Sequence, residues 1–216
     1  MLHIMSICKA DLGEQVLDAA RACLVRSGGR KVTLAEVARE AGVSRPTVYR
    51  RWPDMSEITR ALLTREVMGI VTAVTDVTPL RTAEFDATAD LVVRIAAALR
   101  DDELVAALWR AQREFMTPYV FERLGTSQQG VLAILTDAIA HGQQRGQVRD
   151  GDPQKLASMV LLITQSAIQS RALVESILGD DWSRELHHAL SSYLRPTHLG
   201  SSPLGPSGGE PPTISG

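Results

Sequence analysis

The segment TLAEVAREAGVSRPTVYRRW, residues 33–52, decides the fold of this chain. Thr33 is a favoured N-cap residue and Glu36 follows at the spacing of a capping box, which predicts that a helix starts here. Gly42 then turns the chain, and Ser44 caps a second short helix. This second helix ends in cationic and hydroxyl side chains, as is typical of a helix that enters the major groove of DNA. The segment therefore predicts a helix-turn-helix unit that binds DNA.

Helices are predicted on both sides of this segment. An apolar stripe with helical spacing runs from Leu12 to Ser27, and Asp54 is placed to cap a longer helix that runs from about Met55 into the low 70s. No alternating stretch is long enough for a sheet. The sequence thus predicts an all-α fold, with a three-helix DNA-binding unit before a larger helical domain. Further helices are expected at about 83–100, 101–117, 118–144, 153–178 and 181–194.

Composition and charge divide the chain into four parts. The net charge is -2, yet residues 1–60 carry +3 and the remainder -5, so only the N-terminal part is expected to meet phosphate. The last 21 residues include five Gly, five Pro and four Ser, a composition that cannot bury apolar surface. We expect a flexible N-terminus at 1–11, a helix-turn-helix DNA-binding domain at 12–54, a helical regulatory and dimerisation domain at 55–195 and a disordered tail at 196–216.

Several classes of function are disfavoured by the sequence. No apolar run is long enough for a signal peptide or a membrane span, and two cysteines, Cys8 and Cys23, fit a reducing cytoplasm. His187 and His188 are adjacent, so on a helix they point about 100° apart and do not chelate one metal together. No nucleophile elbow or phosphate-binding glycine loop is present. We therefore expect a cytoplasmic protein without catalytic residues, a metal site or a cofactor.

The motif is long enough to compare with a known family. Residues 12–63 resemble the N-terminal DNA-binding domain of TetR-family transcriptional regulators. The resemblance implies a three-helix DNA-binding unit and a larger helical domain that binds ligands and dimerises. It also implies a regulator, by family default a repressor, that a small-molecule ligand releases from its operator. The matching stretches are VLDAA (16–20), the Gly28-Gly29 turn, VTLAEVAREAGVS (32–44) and PTVYRRW (46–52).

Eight residues of the motif are predicted to contact DNA. The N-terminal residues of the second helix read base edges in this architecture, and Arg45 is suited to the bidentate contact with guanine O6 and N7. One turn later side chains reach phosphate, which the N–H groups at the start of the first helix also favour. For Lys31, a DNA contact and a solvated surface charge are about equally expected. The predicted base contacts are Ser44, Arg45, Pro46 and Thr47, and the predicted phosphate contacts are Thr33, Tyr49, Arg50 and Arg51.

Three positions depart from the family pattern. Trp52 stands where many members have Phe, and Arg51 stands where many have His. Met55 replaces a Lys that usually contacts phosphate near the start of the fourth helix, so this contact is in doubt and Arg50 and Arg51 are expected to compensate. Val48 and Trp52 are expected to pack inward.

Dimerisation is the first expected task of the larger domain. By resemblance, the helices predicted at 153–178 and 181–194 pair with their copies as a four-helix bundle. Their apolar stripe is broken by small residues, which permit close helix approach. A two-fold dimer places two reading helices about one DNA turn apart and implies a palindromic operator in double-stranded DNA. The stripe consists of Ala157, Ser158, Val160, Leu161, Thr164, Ala167 and Ile168.

Binding of a small-molecule effector is the second expected task. A cavity is expected among the helices of 83–144, closed by 153–178, although each candidate lining residue is more often plain core. Arg113 and Gln165 are suited to orient a ligand, and the low aromatic content favours an apolar, non-planar one. The effector is expected to move the helix at 55–71 and so change the spacing of the reading helices. The candidate lining residues are Ile95, Leu99, Trp109, Arg113, Phe121, Leu135 and Gln165.

One alternative stays open at this point. The chain has the features of a helical ligand-binding or partner-binding protein whose helix-turn-helix no longer reads DNA. A salt-sensitive, sequence-selective gel shift with DNA from its own upstream region distinguishes the two.

Overall fold

Every element that the structure describes is a helix. The computed structural model describes residues 2–77, 85–112, 114–117 and 124–196, and side chains at 12–76, 88–112, 114–117 and 124–196. These ranges contain no strand, and the prediction of an all-α fold is confirmed. The helices are α1 (Leu2–Arg26), α2 (Leu34–Glu40), α3 (Arg45–Arg51), α4 (Met55–Val77), α5 (Phe85–Asp101), α6 (Glu103–Ala111), α7 (Thr126–Gln144), α8 (Pro153–Gln169), α9 (Arg171–Leu178) and α10 (Trp182–Leu194).

Several helix boundaries differ from the sequence prediction. Helix α1 begins at Leu2 rather than at Leu12, so its backbone includes residues that the sequence predicts as a flexible terminus. Helix α7 begins at Thr126 rather than near residue 118. The helix predicted at 153–178 is interrupted at Ser170, whose φ of -93° and ψ of 3° separate α8 from α9. Neither Gly nor Pro occurs near Ser170, so no local pattern signalled this break. The predicted tail lies outside the described residues from 197 onwards.

An apolar core holds the helix-turn-helix unit together. Val37 and Val48 are fully buried, Trp52 is almost so, and Val43 packs against them at the edge. The predicted inward packing is therefore confirmed. Gly42, with a φ of 66°, provides the left-handed residue that the turn between α2 and α3 requires. Short caps and this core together fix α3 on the surface of the unit.

Helix α6 attaches the helix-turn-helix unit to the rest of the chain. Leu104 of α6 is fully buried in the same core as α1, α2 and α3. At the start of α6, Asp102 accepts a hydrogen bond from Arg21 of α1 at 3.4 Å. Beyond its end, Gln112 Nε2 donates to the carbonyl of Gly29 at 2.9 Å. The first core thus extends across the domain boundary predicted at residue 54.

Helix α4 contributes to the first core and to a small separate cluster with α5 and α7. Ile58 in its first turns is fully buried with α1, α2 and α3, whereas Val74 near its end packs with α5 and α7. Ion pairs fix its middle on α1, because Arg65 Nη1 lies 3.0 Å from Glu14 Oε2 and 2.8 Å from Asp18 Oδ1. A displacement of α4 therefore acts on both parts of the molecule.

The second core lies among α5, α7, α8 and α10. One face of α10 is buried through residues spaced four apart, namely Trp182, Leu186, Leu190 and Leu194. The loop that follows α7 closes on the end of α10, because the Arg149 N–H donates to the carbonyl of Leu194 at 2.9 Å. This core positions α8 and leaves another of its faces toward solvent.

We expect Gly29→Ala to weaken the attachment of α6 to α1. Gly29 has a φ of 79°, and a Cβ there would collide with the backbone carbonyl of Ala107. The free energy of unfolding should fall by about 2–4 kcal/mol, since the left-handed backbone and the clash are both unfavourable. Gly28→Ala is the control, because its φ of 64° is equally unfavourable but no atom lies within 4 Å of the added Cβ. Equal losses of stability in chemical denaturation would contradict a tight contact at Gly29.

Candidate DNA interface and ligand cavity

The exposed face of α3 carries four of the predicted DNA contacts. Arg45, Pro46, Tyr49 and Arg50 are exposed, whereas Val48 on the opposite side is fully buried. The face therefore presents two guanidinium groups and a phenol on the side away from the core. Such groups supply hydrogen bonds both to base edges and to phosphate oxygens.

Ser44 and Thr47 form a hydroxyl pair at the start of α3. Ser44 Oγ accepts a hydrogen bond from the Thr47 N–H at 3.4 Å, and the two hydroxyl oxygens lie 2.7 Å apart. A hydroxyl donates once and accepts twice, so a mutual hydrogen bond leaves one donor and further acceptor capacity on the pair. The cap thus holds α3 in place while the pair stays able to contact DNA.

Thr33 is engaged by the carboxylate of Glu36. The Thr33 N–H and hydroxyl both donate to Glu36 Oε2 at 2.7 Å, and Thr33 Oγ1 accepts from the Glu36 N–H at 3.2 Å. The predicted capping box is therefore confirmed. Hydrogen bonds from the hydroxyl and then from the N–H of Thr33 hold the pKa of the Glu36 carboxyl below its usual range. A negative charge consequently stands where a phosphate contact is predicted.

Arg51 is exposed, and its guanidinium group lies beside Trp52 and α1. Its guanidinium carbon lies 4.9 Å from the centroid of the Trp52 ring. The same group occupies the space beside Gly13, where a Cβ would lie 2.8 Å from Arg51 Nη2. A cation over an aromatic ring contributes about 0.5–1 kcal/mol at an exposed site.

Lys31 lies beside the position that lacks the usual cation. Met55 is half-buried and packs against the first core, whereas Lys31 is exposed. Both residues line one groove, together with Thr33 and Ser56. The groove thus combines the start of α2 and the start of α4 with the cations Lys31 and Arg110 and the carboxylates Asp54 and Glu114.

Comparison with known proteins decides the family. A sequence profile described as "Bacterial regulatory proteins, tetR family" matches residues 16–62, which include α2, α3 and the start of α4. An uncharacterized HTH-type transcriptional regulator from Mycobacterium bovis is 44% identical over 191 residues, which cover 88% of this chain and 98% of that protein. The chain belongs to the TetR family of transcriptional regulators.

Solved structures of other proteins share the TetR-family fold. RolR in complex with the ligand resorcinol superposes with a TM-score of 0.63 at 15% identity, over 88% of this chain and 90% of RolR. A SmeT–triclosan complex superposes with a TM-score of 0.55 at 22% identity, over 85% of this chain and 90% of SmeT. At these identities the likeness shows the fold. The family membership makes the chain a DNA-binding transcriptional regulator and not an enzyme.

The larger domain of this TetR-family protein contains an apolar cavity. Its volume is about 160 Å³. Helices α4 to α8 and the segment 114–117 all contribute to its wall. Arg113 and Phe121, which are also predicted to line a ligand site, lie outside the described residues. The predicted residues that do line the cavity are Ile95, Leu99, Trp109, Leu135 and Gln165.

Some residues that line the cavity were not predicted from the sequence. Leu63 and Val67 of α4 line the cavity, but they lie on an ordinary apolar stripe and no local signal separates them from core. Thr164 of α8 also lines it, although the sequence places this residue in the dimerisation stripe. Thr164 is a polar residue within an apolar run, and this pattern could have indicated that it lines a cavity.

The stripe predicted for dimerisation packs largely within the protomer. Ala157 and Val160 are buried in the second core, and Leu161 and Ile168 pack against it. For Ala157 and Val160 the assignment is wrong, because α8 buries them against the second core within its own chain. For the half-buried residues of the stripe it stays a prediction. Apolar side chains are exposed on a different face of α8 and on α9. They are Met159, Leu162, Leu173 and Ile177, which are 43%, 54%, 80% and 79% exposed.

Among the residues that the structure describes, no helix combines the length and the hydropathy of a membrane span. Within the same part of the chain, no three His, Cys, Asp or Glu side chains gather where they would suit a metal ion.

We expect Glu36→Gln to strengthen DNA binding. Gln also occurs at this position of a capping box, so the start of α2 should persist while the negative charge disappears. The dissociation constant should fall about 2- to 5-fold per subunit at low salt, as estimated for one charge at a helix start. The measurement is a fluorescence anisotropy titration of duplex DNA.

Glu40→Gln is the control for this substitution. It removes a charge at the other end of α2, where Glu40 Oε2 lies 2.8 Å from Arg26, and should not strengthen binding. Because the pKa of Glu36 is lowered in the folded state, its charge stabilises the fold above the unfolded pKa, and this contribution is lost as pH falls through the folded pKa. The difference in stability between Glu36→Gln and the parent should therefore shrink in acid. A constant difference would contradict the capping role.

Proposed function

We propose that this regulator is a homodimeric repressor that binds a palindromic operator and is released from it by a small-molecule effector. The observation that carries the proposal is the combination, in one protomer, of a polar exposed face on α3 and an apolar cavity bordered by α4 and α6. Both helices also pack against α1 in the first core. DNA contact and ligand contact therefore share two helices.

Base readout is assigned to the start of α3. Arg45 is exposed at the first position of the helix and suits a bidentate contact with guanine, while Pro46 and Thr47 offer apolar contact to a thymine methyl. The hydroxyl pair of Ser44 and Thr47 supplies a hydrogen bond at the same end of α3. These residues set sequence preference, because they lie where a recognition helix meets base edges.

Phosphate contact is assigned to residues that surround α3. Tyr49 and Arg50 lie one turn after Arg45 on the exposed face, and Lys31 supplies a cation in the groove beside Met55. Thr33 and Arg51 remain in this set, but the N–H and hydroxyl of Thr33 must first give up Glu36. We therefore assign most of the backbone contact to Tyr49, Arg50, Arg51 and Lys31.

Dimerisation is assigned to the exposed apolar residues of α8 and α9, with α10 completing a four-helix bundle with its copy. Met159 and Leu162 lie on one face of α8, and Leu173 and Ile177 lie one turn apart on α9. Large exposed apolar groups in this number are typical of a protein interface. A two-fold axis between the copies places two α3 helices about one turn of DNA apart, which matches a palindromic operator.

Release by an effector is assigned to the cavity. A ligand there contacts Leu63 and Val67 of α4 and Trp109 of α6. Because α4 and α6 hold α1, a change in their spacing alters the position of α3 in both subunits. A coupling of about 1–3 kcal/mol between ligand and DNA is typical of such a linkage. The resorcinol of RolR and the triclosan of SmeT support a small organic effector by analogy.

DNA titrations of the full chain test this assignment. The probe is duplex DNA from the chain's own upstream region, with a scrambled duplex as reference and a series of salt concentrations. Arg45→Ala should lose about 1–3 kcal/mol of discrimination between the two duplexes. Lys31→Ala and Arg50→Ala should weaken binding to both, and each should reduce the slope of log K against log salt by about 0.9 per lost contact, or about 1.8 per dimer.

Lys155→Ala is the matched control, since Lys155 is exposed at the start of α8 in the other domain. It should leave the slope unchanged. An unchanged slope in Lys31→Ala would remove Lys31 from the interface. No selective binding by the parent chain would favour the alternative of a helical ligand-binding protein that does not read DNA.

Dimerisation has a separate test. We expect Leu162→Glu and Leu173→Glu to shift the protein to a monomer in sedimentation velocity, because a charge then enters the apolar interface. Leu124→Glu is the control, since Leu124 is 41% exposed, precedes α7 and belongs to neither α8 nor α9, and this change should leave the dimer intact. A parent chain that sediments as a monomer would contradict the proposed assembly.

A further inference from the structure

A second, polar pocket lies between α4 and the start of α7. Its volume is about 240 Å³, and its lining includes Arg60, Leu63 and Thr64 of α4 with Thr126 and Ser127 of α7. Leu63 and Ser127 also line the apolar cavity, so the two spaces are neighbours. A molecule whose apolar part lies in the cavity therefore has polar groups next to it.

The start of α7 offers N–H groups to an anion. The first N–H groups of an α-helix have no partner inside the helix, and the helix dipole places a partial positive charge there. Gly125 occupies the N-cap position and has no side chain, so it supplies no capping oxygen to these groups. The Gly125 N–H donates to Gln128 Oε1 at 2.8 Å, which holds the chain at the helix start. Negatively charged oxygens bind at helix starts of this kind.

Ser127 carries a buried hydroxyl at the same place. The residue is 8% exposed, and its hydroxyl has no hydrogen-bond partner within the described part of the chain. On the α4 side, by contrast, the Thr64 hydroxyl donates to the carbonyl of Arg60 at 2.9 Å. The Ser127 oxygen keeps accessible surface, whereas Thr164 Oγ1 is shielded. A buried hydroxyl without a partner is unfavourable, so this one indicates a ligand that accepts its hydrogen bond.

Arg60 adds a guanidinium group from the opposite wall. Its Nη1 lies 2.6 Å from Oε1 of Glu57, which precedes it on α4 and does not line the pocket in the described structure. A guanidinium has five N–H donors, so this ion pair leaves donors for a second anion. Its planar fork suits the oxygens of a carboxylate or a phosphate. The polar pocket thus combines a cation, a helix start and a hydroxyl donor, and each of these favours a negatively charged oxygen.

We propose that the polar pocket binds a carboxylate or phosphate-ester group of the effector, whose apolar body occupies the neighbouring cavity. This inference rests on the proposed function only in taking the cavity as the effector site. An apolar cavity of about 150 Å³ accommodates benzene, so a body of about six carbons suits the cavity of about 160 Å³. The effector is then an amphiphilic anion that accepts hydrogen bonds from Arg60, from Ser127 and from the N–H groups at the start of α7.

The polar pocket also connects the anion with the DNA-binding unit. Arg60 follows Ile58 on α4, and Ile58 is fully buried in the core that contains α1, α2 and α3. Helices α4 and α7 lie in close contact, since a Cβ at Gly130 would lie 3.2 Å from Met68 Sδ. An anion that draws Arg60 toward the start of α7 therefore acts on the part of α4 that holds the DNA-binding unit.

Four compounds separate the charge from the apolar body: hexanoate, hexyl phosphate, hexanol and acetate. Binding to the full chain without DNA is measured by calorimetry at neutral pH and constant ionic strength. We expect the better of the two hexyl anions to bind about 10-fold more tightly than hexanol, because charge-assisted hydrogen bonds are stronger than neutral ones. The tighter anion identifies the group. Hexanol that binds as tightly as both anions, acetate that binds as tightly as hexanoate, or no binding by either hexyl anion would overturn the proposal.

Substitutions in the polar pocket test the two side chains. Arg60→Gln should lose the preference for the anion over hexanol, whereas Arg60→Lys keeps the charge and should retain part of it. Ser127→Ala leaves the ion pair of Arg60 intact and should weaken binding of the anion about 3- to 10-fold, as expected for one hydrogen bond. Arg94→Gln is the matched control and should keep the preference. Arg94 is 43% exposed against 38% for Arg60, pairs with Asp90 at 3.2 Å and lines neither space.

The outcomes separate this proposal from the proposed function. If the preference for the anion disappears in Arg60→Gln but the anion does not weaken DNA binding by the parent chain, the anion site stands and the mechanism of release fails. If the preference survives in both Arg60→Gln and Ser127→Ala, the polar pocket does not recognise the anion and the present inference is wrong, whatever the effect on DNA.

Discussion

The attachment of α6 and α4 to α1 is the constraint on which the other features depend. At Gly29 the backbone of the first loop lies so close to the carbonyl of Ala107 that a side chain there would collide with it. Two polar contacts flank this point, from Arg21 to Asp102 and from Gln112 to the Gly29 carbonyl. Closely packed groups are hardly compressible, so α6 cannot shift far without moving α1. The DNA-binding unit is thus attached to the wall of the cavity.

Helix α8 has three faces with different surroundings. Its Ala157 and Val160 cover the second core, its Thr164 and Gln165 face the cavity, and its Met159 and Leu162 face solvent. The break at Ser170 lets the following α9 change direction, so its own exposed apolar residues need not continue the faces of α8. A ligand that contacts α8 is consequently close to the proposed dimer surface as well as to α4. In the proposed dimer, both features bear on the distance between the two α3 helices.

The sequence predicted best those elements whose determinants are local. The capping box of Thr33, the turn at Gly42 and the buried Val48 follow from spacing over three to five residues, and all are present. Contacts between distant segments were not predictable in this way. Arg51 occupies its position because Gly13 has no side chain there. Leu63 lines the cavity because of the way α4 crosses α5 and α6. One apolar pattern suits a core, a cavity and an interface alike, so Ala157 and Val160 of α8 were assigned wrongly.

Two of the candidate phosphate contacts already lie against other groups of the protein. The N–H and hydroxyl of Thr33 donate to Glu36, so Thr33 must exchange that partner before it can donate to phosphate, whereas the exposed Arg51 lies over Trp52. The exchange at Thr33 would cost part of the interaction energy that DNA provides. In the proposed dimer, the net affinity would rest on few cations per subunit and on two subunits acting together. Such an affinity would be sensitive to the spacing of the two α3 helices, because one misplaced subunit would remove half of the contacts at once. Modest attraction within each protomer is therefore compatible with the proposed release of a dimer from its operator by a small molecule.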